Sequence, residues 1–138
     1  MAKNLKPGDK PPSSLPSPTD GELAILRALW DQGPSTVRQV HDRLGRDTKY
    51  TTVLKLLQIM TEKGLVERDE SARTHIYRTT LPAQATQRQL LRNLVDKAFA
   101  GSAAQLVLQA LSAKRASPEE LRDIRKLLDE HEKKGGGE

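Results

Sequence analysis

Seven consecutive residues, Arg46-Asp47-Thr48-Lys49-Tyr50-Thr51-Thr52, form the front of an otherwise apolar helical stretch. They supply hydroxyls, two cations that flank the first threonine, and one aromatic ring. Such groups hydrogen-bond to phosphate oxygens and base edges, and a threonine methyl packs on the thymine methyl. Stepping by about 100° per residue places Val53, Leu56, Leu57 and Met60 on one side of the helix. Thr48, Thr51, Lys55 and Gln58 fall opposite, with Thr52 on the flank. The chemistry implied is nucleic-acid recognition through Arg46, Thr48, Lys49, Tyr50, Thr51, Thr52 and Lys55. The plain alternative is a solvated helix face. A Thr-Thr pair is a mediocre helix former, so solvation alone gives no reason for it.

Two further groups fit the same chemistry. Ser35, Thr36 and Arg38 open the preceding helix, where free amides and side chains can hold a phosphate; Ser35 could equally be a simple cap. Arg73 and His75 lie at the tip of a downstream hairpin, with Arg68 and Arg78 on its strands. Residues so placed touch the sugar–phosphate backbone or minor groove, or form an ordinary polar turn. Other chemistries find little support. The chain has no cysteine, which excludes disulfides, Cys-ligated metals and thiol nucleophiles. His41, His75 and His131 are dispersed without metal-ligand spacing. No Ser, His and acid arrangement marks a nucleophile. An enzyme is not expected, and neither is a cofactor.

The elements that must carry these residues are marked by proline and glycine. Pro7, Pro11, Pro12, Pro16 and Pro18 make residues 1–18 an extended or disordered arm. A first helix is expected over about Asp20 to Gln32, with Thr19 and Glu22 at capping-box spacing and a stripe of Leu23, Leu26, Leu29 and Trp30. A second runs from Ser35 to Leu44, with Val37, Val40 and Leu44 inward, and a third from Lys49 to Lys63. After Gly64 the period changes. "LVERDE" and "THIYRTTL" alternate and are rich in β-branched residues, around a polar "ESARTH", as a two-stranded hairpin requires. The fold expected is mainly α with a small antiparallel β-hairpin: a winged helix-turn-helix over 19–81 plus a C-terminal helical region over 82–134.

That C-terminal region carries three apolar stripes, on Pro82 to Ala100, Ser102 to Ala113 and the helix that Ser117-Pro118-Glu119-Glu120 begins. These helices are too short to bury a core alone, and a second copy is the simplest partner. The dimerising residues expected are Leu90, Leu94, Phe99, Leu106, Val107, Leu121, Ile124 and Leu128. Residues 135–138 are expected to be a flexible tail. No apolar run reaches the roughly 20 residues a bilayer span needs, and no secretory signal precedes the domain, so a cytoplasmic protein without membrane insertion is expected. The net charge is +5 over 138 residues. It is spread: 13 basic against 10 acidic residues in 1–80, and 10 against 8 in 81–138.

"PTDGELAILRALWDQGP", "STVRQVHDRL", "YTTVLKLLQIMTEKGLV" and "ARTHIYRTT", in this order and spacing, resemble the penicillinase-repressor (BlaI/MecI) family over roughly residues 19 to 130. The resemblance implies a homodimeric transcriptional repressor whose winged-helix domain binds a palindromic double-stranded operator, of β-lactamase-type or related stress genes. It puts DNA contacts on Thr48, Lys49, Tyr50, Thr51, Thr52 and Lys55, with Arg73 and His75 in the wing. Some members are inactivated by a membrane metalloprotease sensor that cuts an Asn-Phe bond in the dimerisation region. The matching stretch here is "LVLQA", with Gln109-Ala110 in place of that pair. A copper-responsive branch carries C-terminal cysteines, which this chain lacks. Two other functions fit the residues: a ligand-responsive winged-helix regulator, and a winged helix that binds protein rather than DNA.

Overall fold

The computed structural model describes residues 16–136. The first fifteen residues of the expected arm and the last two of the expected tail lie outside that range. The chain divides into two compact units between Arg92 and Asn93.

The first unit begins with α1 (Asp20–Gln32). Thr19 caps it as a capping box: the Glu22 amide donates to Thr19 Oγ1, and the Thr19 amide donates to Glu22 Oε1. Helices α2 (Val37–Leu44) and α3 (Tyr50–Lys63) follow. An antiparallel pair completes the unit, β1 (Val66–Asp69) and β2 (Ile76–Thr79), with Val66 opposite Thr79 and Arg68 opposite Tyr77. This is the expected arrangement of three helices and a hairpin.

The core lies where these elements meet. Ile25, Val40, Val53, Leu57 and Met60 are fully buried, and Leu26, Leu29, Val66 and Tyr77 nearly so. Each such side chain contributes about 1.5–3 kcal/mol by leaving water. The α1 stripe is broader than the four residues expected, because α1 packs on α2, α3 and β2 together. Ile25 and Ala28 are therefore interior, while Leu23 and Trp30 are only half-buried. Trp30 Nε1 donates to the Leu81 carbonyl at 3.4 Å. One ionic contact reaches this interior. Glu22 is 2% exposed, and both its carboxylate oxygens accept from Lys63 Nζ at 2.9 Å. The pair ties the start of α1 to the end of α3.

Two departures from expectation have local causes. α2 starts at Val37 rather than Ser35, because Thr36, with Gln39, forms the capping box. Ser35 is drawn into a bridge with Tyr77: its amide donates to the Tyr77 carbonyl at 2.9 Å, and the Tyr77 amide donates back at 2.8 Å. At the other end of the hairpin, Gly64 takes the left-handed conformation at φ 84° that closes α3. The Thr80 hydroxyl donates to the Gly64 carbonyl at 2.7 Å. The hairpin is thus fastened at its root to the end of α3, and close to its tip to the segment that leads into α2.

Helix α4 (Ala83–Ala98) crosses the division. Its first turns belong to the first unit, where Thr86 is buried, so the division falls inside α4 rather than ahead of it. The second unit continues with α5 (Ala103–Ala113), capped by Ser102, and α6 (Pro118–Gly136). Ser117 and Glu120 form the box that starts α6. α6 continues through Gly135 and Gly136, where a flexible tail was expected. Lys133 and Lys134 in its last turn complement the helix dipole. No described residue of this unit is buried. Leu94, Val107, Leu108, Leu111, Leu121, Leu127 and Leu128 are exposed.

Candidate nucleic-acid interface

The front of α3 differs from the fronts of α1 and α2. Lys49 occupies the cap position, and no side chain accepts from the first-turn amides. Those donors, at the positive end of the helix, are open to an anion. Lys49, Thr51, Thr52 and Lys55 are exposed, while Val53, Leu57 and Met60 anchor the opposite side in the core. The core-facing and outward faces therefore sit as the periodicity requires, with Thr51 and Lys55 directly outward.

Thr48 departs from that face. It precedes the helix, is half-buried, and lines a groove with Leu23, Leu44 and Leu56 on the α1 side. Thr52 lines the same groove while remaining exposed. Tyr50 points the other way. Its ring, 43% exposed, meets the His41 ring edge-on at 5.8 Å between centroids.

On the Tyr50 side, three elements converge. A cleft of about 500 Å³ is lined by Thr36 and Arg38 of α2, Tyr50 and Leu54 of α3, and Arg73, Thr74, His75 and Tyr77 of the hairpin. No carboxylate lines it. Arg38, Arg73 and His75 are exposed, and none is in an ion pair among the described residues. Arg46 is exposed in the turn between α2 and α3.

Ser35 is a correction. It is 2% exposed, its hydroxyl donates to the Gly33 carbonyl at 2.7 Å, and it accepts from Gln32 Nε2 at 3.0 Å. Its side chain is committed to the fold and cannot reach a ligand, so the outer start of α2 belongs to Thr36 and Arg38.

The hairpin separates its cations by their partners. Arg68 pairs with Glu70, and Arg78 pairs with Glu67 at 3.3 Å. The hydrogen bond to Tyr77, and then Glu70, hold the Arg68 guanidinium above its ordinary pKa. Asp69 Oδ1 accepts from the Ser71 amide at 2.9 Å, and that bond holds the Asp69 carboxyl below its ordinary pKa. Arg73, at the tip, is in no ion pair among the described residues.

In the second unit, Leu94, Val107, Leu121 and Leu128 are exposed, whereas Phe99, Leu106 and Ile124 are half-buried; Leu90, also half-buried, lies in the first unit. Gln109 and Ala110 are exposed within α5. Sequence reasoning missed His41, whose ring meets Tyr50 and whose Nε2 lies 2.8 Å from the Thr48 carbonyl. It also missed Thr74 and Leu54 in the cleft. Nothing in the apolar periodicity marks any of them.

A model of the penicillinase repressor family matches residues 18–130. The transcriptional regulator BlaI of Mycobacterium tuberculosis is 44% identical over 61 residues, 42% of this chain and 44% of that protein. The chain thus matches less than half the length of that relative. The penicillinase repressor of Bacillus licheniformis is 19% identical over 119 residues, 85% of this chain and 93% of that protein. A solved structure of monomeric Bacillus licheniformis BlaI with the blaP half-operator aligns at 18% identity and a TM-score of 0.46, over 51% of this chain and 89% of that one. A transcriptional regulator from Thermotoga maritima aligns at 14% identity and 0.48, over 87% and 80%.

Proposed function

The chain belongs to the penicillinase repressor family, and we propose that it is a DNA-binding transcriptional repressor that reads a palindromic operator as a homodimer. The observation that carries the DNA contact is the cleft where α2, α3 and the hairpin converge. It offers Arg38, Arg73 and His75 with no carboxylate among its lining residues. A duplex brings one phosphate charge per about 1.7 Å of axis to such a surface.

Lys49, Thr51, Thr52 and Lys55 on the exposed front of α3 are the groups for base edges in the major groove. The open first-turn amides of α3, and Thr36 and Arg38 on α2, are suited to flanking phosphates. Arg73 and His75 extend the contact along the backbone. The protein would work in the cytoplasm; among the described residues no helix is long and apolar enough to cross a membrane.

The apolar faces of α5 and α6 support the homodimer. Leu108, Leu111, Leu121, Leu127 and Leu128 are exposed in the single chain, and a two-fold partner presents the same surface in return. Two recognition helices then meet half-sites about one helical turn, or a multiple of it, apart.

Relief of repression by a membrane metalloprotease sensor would require cutting Gln109-Ala110. Both residues are exposed, but Ala110 is held in α5, its carbonyl accepting from the Lys114 amide at 3.1 Å. The helix must unwind locally before a protease can take that bond in extended form.

The test is selection of duplexes from a random pool by the full chain, followed by footprinting of the selected sequence and of the protein's own promoter. A two-fold symmetric consensus is expected. A pool that stays random, or no binding to any duplex at low salt, overturns the assignment and favours a protein-binding winged helix. A melting temperature raised by a small molecule, with release of DNA, would favour a ligand-responsive regulator instead.

A further inference from the structure

We infer that His41 is a positioning residue for DNA readout: it fixes the front of α3 without touching DNA. The inference rests on the proposed operator binding. Two contacts carry it. His41 Nε2 lies 2.8 Å from the Thr48 carbonyl, and the His41 ring meets the Tyr50 ring edge-on at 71°. These contacts fall on either side of Lys49, the cap residue.

The cap has little else to hold it. No side chain caps α3, and the turn before it is closed by a long Thr48 amide to Gly45 carbonyl bond of 3.4 Å. His41, by contrast, sits on α2 next to Val40, which is fully buried. Its own side chain is only 27% exposed. The rigid part of the fold therefore reaches across the turn and sets where Lys49, Tyr50, Thr51 and Thr52 point.

The chemistry of the bond assigns the tautomer. A carbonyl only accepts, so Nε2 must carry the proton. In the neutral ring Nδ1 is then the bare nitrogen, and it faces Asp42 at 3.9 Å.

Base-edge readout demands closer positioning than phosphate contact does. Removing His41 should therefore lower the preference for the right sequence more than the affinity for DNA in general. The experiment uses the full chain, a duplex selected by the wild-type protein from a random pool, and a scrambled duplex of equal length.

His41→Ala is expected to reduce the ratio of the two affinities roughly ten-fold. Affinity for the scrambled duplex should stay within about two-fold, since phosphates dominate it. His41→Gln, whose amide nitrogen can occupy the place of Nε2, is expected to restore most of the ratio. An unchanged ratio in His41→Ala, or a glutamine variant as poor as alanine, overturns the inference.

Should His41→Ala fail to fold by circular dichroism, the glutamine variant and the imidazole ¹⁵N spectrum of the wild-type protein decide. An Nε2–H tautomer for His41 is expected, and an Nδ1–H tautomer overturns it. If the wild-type protein selects no sequence at all, it is the operator-binding proposal that fails.

Discussion

Substituting Arg73 by alanine tests the proposed phosphate track in a measurable way. Arg73 lines the cleft, is exposed, and is in no ion pair among the described residues. Arg68, on the neighbouring strand, is already neutralised by Glu70. Each phosphate that a protein cation neutralises adds about −0.9 to the slope of log affinity against log salt on B-DNA. Five exposed cations per protomer, Arg38, Arg46, Lys49, Lys55 and Arg73, cap the slope of a dimer at about −9. Removing Arg73 from both protomers should make the slope shallower by about 1.8, and a monomeric reader would show about 0.9. Between 50 and 200 mM salt that difference amounts to about twelve-fold for the dimer. The affinity lost on substitution should therefore be far larger at the lower salt. Fluorescence anisotropy with selected and scrambled duplexes, titrated at four salt concentrations, reads the slope directly. The loss should be similar for both duplexes. An unchanged slope for Arg73→Ala, or a larger change for Arg68→Ala, would refute the assignment of Arg73 as the wing's free phosphate contact.

Other perturbations test the rest of the molecule. Lys63→Met leaves the Glu22 carboxylate buried without its cation. Because Lys63 is 30% exposed, the cost should fall below the range for a fully buried pair, at about 2–3 kcal/mol in urea unfolding; a loss under about 1 kcal/mol would mean that the pair is incidental. Val107→Asp puts a charge on the exposed apolar face of α5. It should weaken self-association by roughly a hundred-fold in sedimentation equilibrium, and an unaltered dimer would place the interface elsewhere. The Asp69 carboxyl, held below its ordinary value of 3.8 by the Ser71 amide, should stabilise the hairpin tip fully above that value. The contribution disappears as pH falls through the lower, folded-state pKa. An NMR titration of Asp69 checks the direction, and a midpoint at or above 3.8 contradicts it.

Elements whose limits are set locally were legible in the sequence. Thr19 and Glu22 mark the start of α1, and Gly64 marks the end of α3, because cap chemistry involves residues only a few positions apart. The start of α2 was misplaced because Ser35 and Thr36 are both competent caps. The choice was made by Tyr77, more than forty positions away, which takes the Ser35 backbone into its bridge. Glu22 illustrates the same limit. Its cap role is local, but its burial against Lys63 is tertiary. The outward face of α3 followed from helical geometry alone. The half-burial of Thr48 did not, because Thr48 precedes the helix and the groove it lines is made with Leu23 and Leu44 of other elements. The cleft was legible only as a list of residue types; their convergence depends on the bridge between Ser35 and Tyr77, which brings the hairpin beside the start of α2.

The hairpin is fastened along its strands, so the core does not depend on the far part of the loop that joins them. Thr80 with Gly64 holds the base of the strands, and Ser35 with Tyr77 holds β2 one residue from the tip loop. Residues 70–75 between the strands are all exposed. Beyond the Glu70 pair with Arg68 and the Ser71 amide bond to Asp69, the tip can therefore gain or lose residues, or exchange charges, while the helices and their shared core stay as they are. In evolutionary terms the molecule separates two inheritances. The front of α3 is bound to the core that positions it and can change only residue by residue. The loop from Ala72 to His75 can be rewritten in length and composition, so a descendant can acquire a new reach along DNA before it acquires a new word to read.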